Sequence, residues 1–146
     1  MAGMSEPDCV FCAIVSGSHD ADIVFEDDET IGFLDSRPLQ HGHTLLIPRR
    51  HIETLVDLPH DLVTTLFLNV QLLARTVVPA MDAEGSFVAM NNRVSQSVPH
   101  LHVHIVPRRK GDGLRGFFWP RQKYESNKHR QETRDAIREA VAALDA

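Results

Sequence analysis

Three histidines separated by single aliphatic residues, His100-Leu101-His102-Val103-His104, lie between Pro99 and the run Ile105-Val106-Pro107. Imidazole changes charge near neutral pH, so it serves as nucleophile, proton carrier or metal ligand. In an extended chain the alternation sends the three rings to one face and Leu101, Val103 and Ile105 to the other. Successive rings then stand roughly 6.5–7 Å apart, twice the strand rise, near enough for two of them to act on neighbouring atoms of one phosphate ester. Gln96-Ser97 and Asn91-Asn92 precede the run and add hydrogen-bonding groups. Convergent titratable and polar groups on one rigid element are what a site requires. A strand with a solvated histidine face, or a metal cluster, would leave the same pattern. The second constellation is Cys9 and Cys12, the only cysteines, in C-x-x-C spacing. In a reducing compartment such a pair favours a metal over a structural disulfide.

The elements that must position these groups can be read from periodicity. Residues 9–17 predict a short helix ending near Gly17. Ile23–Asp27 and Thr30–Asp35 predict a hairpin with an acidic turn, and Gly42–Pro48 a third strand closed by proline. From Asp57 the period becomes helical: Leu62, Leu66, Val70, Leu73 and Val77 make an apolar stripe, with Pro59 suited to the first turn and the helix expected to end before Pro79. Phe87–Asn91 predicts a fourth strand and residues 99–107 a fifth. The Gly-rich, basic and aromatic stretch 108–124 predicts a loop, and Asn127–Leu144 an amphipathic helix with Ala136, Ile137, Ala140, Val141 and Leu144 on one side. The expected fold is α+β: an antiparallel sheet of about five strands, with a long helix packed on it and a C-terminal helix.

One hundred and forty-six residues, 42% apolar and 24% charged, suit one soluble globular domain. The expected organisation is a single domain over 1–146, with a core at about 9–108 and a C-terminal loop and helix at 109–146. The net charge of −5 argues against a nucleic-acid surface. It is unevenly placed, because nine acidic residues precede the first cation, Arg37, while Arg108 to Arg130 is basic. The N-terminus lacks a basic start and a continuous apolar run, and no apolar run approaches membrane-spanning length, so a cytoplasmic protein with no membrane partner is expected.

The run His100-Leu101-His102-Val103-His104-Ile105-Val106 resembles the histidine triad pattern, and the chain is similar to members of the HIT superfamily of nucleotide hydrolases and transferases. Val24-Phe25-Glu26-Asp27, Phe33-Leu34-Asp35, the block from Gly42 to His51, Asn91 and Gln96-Ser97-Val98 resemble family blocks in the same order. The resemblance implies that His102 is a nucleophile attacking the α-phosphorus of a nucleotide to form a covalent nucleotidyl-histidine, with His104 as phosphate partner. It implies that Gln96 and Ser97 bond the phosphate or leaving group, that Asn91 contacts phosphate or ribose, that Asp35 accepts the ribose hydroxyls, and that Phe33 and Val24 sandwich the base. It further implies a structural zinc held by Cys9, Cys12, His51 and His100, with a small-molecule nucleotide as substrate and a homodimer formed through the long helix and fourth strand. The implied reaction is hydrolysis of purine nucleoside phosphoramidates or related adenosine 5′-phosphate derivatives. A diadenosine polyphosphate hydrolase or phosphorylase and a nucleotide-binding regulatory protein without turnover are the alternatives. Two features depart from the family pattern: the loop Asn92–Ser95 is short and lacks a glycine before Gln96, and Trp119-Pro120 is followed by a further 26 residues.

Overall fold

The computed structural model describes residues 8–114 and 120–145; Trp119, with residues 115–118 of the basic stretch, lies outside them. These residues form two units, the first ending at Asp112 and the second beginning at Gly113.

The first unit is built on one five-stranded antiparallel sheet. Its strands are β1 (Ile23–Glu26), β2 (Thr30–Leu34), β3 (Thr44–Pro48), β4 (Gly85–Ala89) and β5 (Val103–Arg108), in the spatial order β1-β2-β3-β5-β4. The expected α+β layout is therefore present. One face carries helix α2 (His60–Ala80), whose stripe Leu62, Leu66, Val70, Leu73 and Val77 packs with Leu46, Leu101, Val103 and Ile105. Burying each such side chain contributes about 1.5–3 kcal/mol. The other face carries the short helix α1 (Val10–Ser16), where Phe11, Cys12 and Ile14 meet Ile31, Phe33, Leu45 and Ile47. α1 begins on Cys9, whose sulfur accepts the Cys12 N–H, and stops at Gly17 in the left-handed conformation.

A carboxylate ties the first hairpin to α2. Asp27 Oδ1 accepts the backbone N–H groups of Glu29 and Thr30 at 2.9 and 2.8 Å, while Oδ2 accepts from Asn69 of α2 at 2.7 Å. Burial pushes the Asp27 carboxyl up, but the combined hydrogen bonds of Glu29, Asn69 and Thr30 outweigh it and hold it below its ordinary value.

Four details differ from the periodicity reading. α2 runs through Pro79 to Ala80, because proline in a last turn removes one N–H and the chain closes with Met81 N–H to Val77 O at 3.0 Å. That helix is also long and apolar enough, by length and composition, to cross a membrane, contrary to the expectation that no run reaches that length; its buried stripe faces the sheet. β4 lies two residues earlier than expected, at Gly85–Ala89. β5 begins at Val103 rather than Pro99, because Leu101 N–H bonds Ile52 O at 2.7 Å and leaves the ladder, whereas Val103 to Ile105 pair with Leu46 to Thr44. The alternation survives this departure: Leu101 is buried beneath α2 while the His100 and His102 rings meet Phe11 on the opposite face.

In the second unit, α3 (Asn127–Asp145) starts where Ser126 Oγ accepts the His129 N–H at 3.0 Å, and Ile137, Val141 and Leu144 are exposed on it.

Candidate functional site

On the α1 face the sheet register sets up one lateral row. Ile23 pairs with Phe33, Phe33 with Leu45, and Leu45 with His104. A cavity of about 330 Å³ lies over this row, its apolar walls formed by Phe11, Ile14, Phe33 and Leu45. His102, His104 and Ser97 line its polar end together with Asp35. The His102 and His104 rings are 5.1 Å apart, closer than the strand repeat because the rings lean together.

Hydrogen bonds assign the tautomers. His102 Nδ1 lies 2.8 Å from the His100 carbonyl, so Nδ1–H donates and Nε2 keeps its lone pair. A second chain starts at the Leu39 N–H, which donates to His43 Nδ1 at 3.1 Å. His43 Nε2 must then carry hydrogen, and it donates to His104 Nδ1 at 2.9 Å. Neutral His104 is left with Nε2–H, a donor beside the lone pair of His102. Asp35 Oδ2 stands 3.7 Å from His43 Nε2, and its Oδ1 accepts the Arg37 N–H at 2.8 Å. Burial, then His102 and His43, push His104 down to about 4 against the opposing pull of Asp35, so it is neutral at physiological pH. Burial lowers His43 too, with Asp35 again opposing.

Gly42 explains how His43 enters this chain. Its φ of 95° is a left-handed conformation, and a Cβ there would meet Met81 Cγ at 2.6 Å. Only glycine lets β3 turn in so tightly before His43.

Beside the cavity, Cys9, Cys12, His51 and His100 bring their ligand atoms within 4.8 Å of one another. Cys9 Sγ is 3.5 Å from His100 Nδ1, and Cys12 Sγ lies 3.2 and 3.6 Å from the Nδ1 atoms of His51 and His100. A tetrahedral zinc with ordinary bond lengths separates its sulfur and nitrogen ligands by about 3.5 Å, so these residues fit such an ion. His100 Nε2–H donates to the Pro48 carbonyl at 2.8 Å, which leaves Nδ1 free as a ligand. Burial lowers His100 to about 4, with the Pro48 bond opposing and His51 and His102 adding to it. A metal here would be enclosed by protein ligands and would brace α1 against the segment carrying His102.

Three of the expected contact residues do not line this cavity. Val24 sits on the opposite face, in the cleft with Leu73, Val77 and Met81. The cause is a bulge: Ile23 pairs with Phe33 and Phe25 with Gly32, so Val24 is an extra residue and Ile23 shares the face of Phe33. Gln96 is engaged elsewhere, its Oε1 accepting the Arg93 N–H at 2.8 Å and its Nε2 donating to Glu53 O at 2.7 Å. Asn91 lies half-buried just beyond the end of β4, outside the cavity lining. In the same loop Arg93 and Ser95 take φ values of 70° and 61°, so the absent glycine is replaced by strained left-handed residues held by the Gln96 clamp. Sequence reading missed His43, although it stands two residues before Leu45 at the entry to β3, and it missed the part that Phe11 and Ile14 play at i, i+3 on α1.

The chain was compared with known proteins. It is 37% identical over 109 residues to the adenylylsulfatase HINT3 of Arabidopsis thaliana, covering 73% of this chain but only 55% of that protein. It is 29% identical over 148 residues to the adenosine 5′-monophosphoramidase HNT1 of Candida albicans, covering 97% and 96% of the two chains. The crystal structure of a zinc-bound histidine triad family protein from Mycobacterium smegmatis superposes with a TM-score of 0.70 at 37% identity, covering 93% of this chain and 97% of that one. Residues 16–111 match the HIT domain, and the chain belongs to the HIT family.

Proposed function

We propose that this protein hydrolyses purine nucleoside phosphoramidates, or related adenosine 5′-phosphate derivatives, through a covalent intermediate on His102. The observation that carries the reading is the bond from His102 Nδ1–H to the His100 carbonyl, which leaves an Nε2 lone pair at the polar end of the cavity. In the first step Nε2 attacks phosphorus, the bond from phosphorus to the leaving nitrogen or oxygen breaks, and the leaving group takes a proton from solvent. Water then attacks the phosphorus, the bond from phosphorus to Nε2 breaks and a proton passes to solvent, releasing the nucleoside monophosphate and restoring the imidazole. His104 Nε2–H meets negative charge developing on the phosphoryl oxygens, while Ser97 borders the same end. Asp35 is the acceptor for ribose hydroxyls, and Phe33 with Phe11 and Ile14 holds the base.

The neighbouring four-ligand cluster is read as a structural zinc site, supported by its sulfur–nitrogen separations. A homodimer is read from the exposed Phe67, Leu68 and Leu72 on α2 and from the edge position of β4. The name of the monophosphoramidase relative supports an amine leaving group; that of the adenylylsulfatase supports adenylyl sulfate as the comparison substrate.

Replacing His102 with Gln tests the reading. Hydrolysis of adenosine 5′-phosphoramidate is expected to vanish while AMP binding, followed by calorimetry, stays near that of the unaltered protein. Turnover that survives the substitution overturns the nucleophile assignment.

A further inference from the structure

The cavity has a second polar end, built differently from the first. Opposite the histidines its rim is formed by the loop after α1, where His19, Asp20 and Asp22 line it. This loop is pinned at both ends: Ser18 and His19 N–H bond Ala13 O at 2.9 and 3.1 Å, and Leu34 N–H bonds Asp22 O at 3.0 Å. Its backbone is therefore held beside Phe33, with the Asp20 and Asp22 side chains exposed at the rim.

The sheet register supplies the scale. From His104 on β5, the row crosses Leu45 on β3 to Phe33 on β2, two strand spacings or about 10 Å. A nucleoside 5′-phosphate has about that length. With phosphate at the histidines, the base lies over Phe33 and its far edge meets the loop on the β1 side.

We infer that Asp20 and Asp22 read the edge of the base and select guanine over adenine, an inference that rests on the nucleotide reading of this cavity. A carboxylate offers only acceptors. Guanine presents two adjacent donors, N1–H and the 2-amino group, matching the two oxygens of one carboxylate. Hypoxanthine keeps only N1–H. Adenine offers its 6-amino group beside the N1 lone pair, which opposes the carboxylate. An asparagine amide, one donor beside one acceptor, instead matches adenine. A well-formed bidentate contact discriminates between bases by about fivefold or more.

Calorimetric titration of the full chain with GMP, IMP and AMP tests this. The unaltered protein is expected to bind GMP at least about fivefold more tightly than AMP, with IMP between. In the Asp20→Asn, Asp22→Asn double variant the GMP:AMP preference is expected to fall to about one or invert. Equal affinity for GMP and AMP in the unaltered protein overturns the inference and leaves the nucleotide site standing, as does a preference that the double variant retains. Failure of all three nucleotides to bind overturns the nucleotide reading itself. The GMP and IMP comparison requires no variant, so a folding defect in the double substitution does not remove the test.

Discussion

His43 carries the chain of hydrogen bonds that sets the tautomer of His104, so replacing it perturbs the proposed chemistry without touching the nucleophile. In His43→Ala, His104 Nδ1 loses a donor at 2.9 Å and the Leu39 N–H loses its acceptor at 3.1 Å. His43 is 2% exposed and His104 half-buried, whereas Leu39 is exposed, so the loss falls mainly on His104 Nδ1. A buried acceptor stripped of its donor costs about 1–3 kcal/mol. Where that bond is what presents His104 Nε2–H to the phosphoryl oxygens, the same amount appears in the barrier, a fall of about 5- to 150-fold in kcat/KM. His43→Gln is the diagnostic partner, because a glutamine amide can accept from Leu39 and donate to His104 at once. The assay is hydrolysis of adenosine 5′-phosphoramidate, with AMP binding and a thermal melt on each variant. The expected order of kcat/KM is unaltered protein, then Gln, then Ala, with AMP affinity changing less than kcat. The reasoning is refuted if His43→Ala lies within about twofold of the unaltered protein, or if Gln is no better than Ala in a variant that melts normally.

Two further outcomes concern stability. Asp27→Ala strips acceptors from Glu29, Thr30 and Asn69, and with Thr30 fully buried the loss should be about 2–4 kcal/mol by urea unfolding. Because the folded-state pKa of Asp27 lies below its unfolded value, this contribution is present above the ordinary pKa of 3.8 and lost as pH falls through the folded value. Unfolding curves for the Ala variant should therefore converge on those of the unaltered protein in acid, and a pH-independent difference would contradict that account. Removal of metal by a chelator, or Cys9→Ser, should lower both Tm and bound zinc measured by elemental analysis; a protein whose purified form carries no zinc rules out the four-ligand reading.

Much of the fold was legible because the signals are local. The alternation of Leu101, Val103 and Ile105 with the histidines, the stripe from Leu62 to Val77 and the turn at Asp27 depend on residue spacing, and the structure contains the elements they imply. The C-x-x-C pair could be read as half of a metal site from its spacing, and the family resemblance named the other half. What could not be read locally is whatever depends on register. A single extra residue at Val24 turns that side chain from the cavity to the α2 face, and no local feature of the β1 sequence announces the bulge. The Gln96 amide is spent on backbone groups of Arg93 and Glu53, the latter 43 residues away along the chain. His43 meets His104 only because β3 and β5 are neighbours in space. The sequence by itself determined which residue types were available and which side of each element they occupy, since strand and helix periods are properties of the backbone. The tertiary structure alone decided which of them converge, because hydrogen bonds and cavity walls join positions that only sheet pairing brings together.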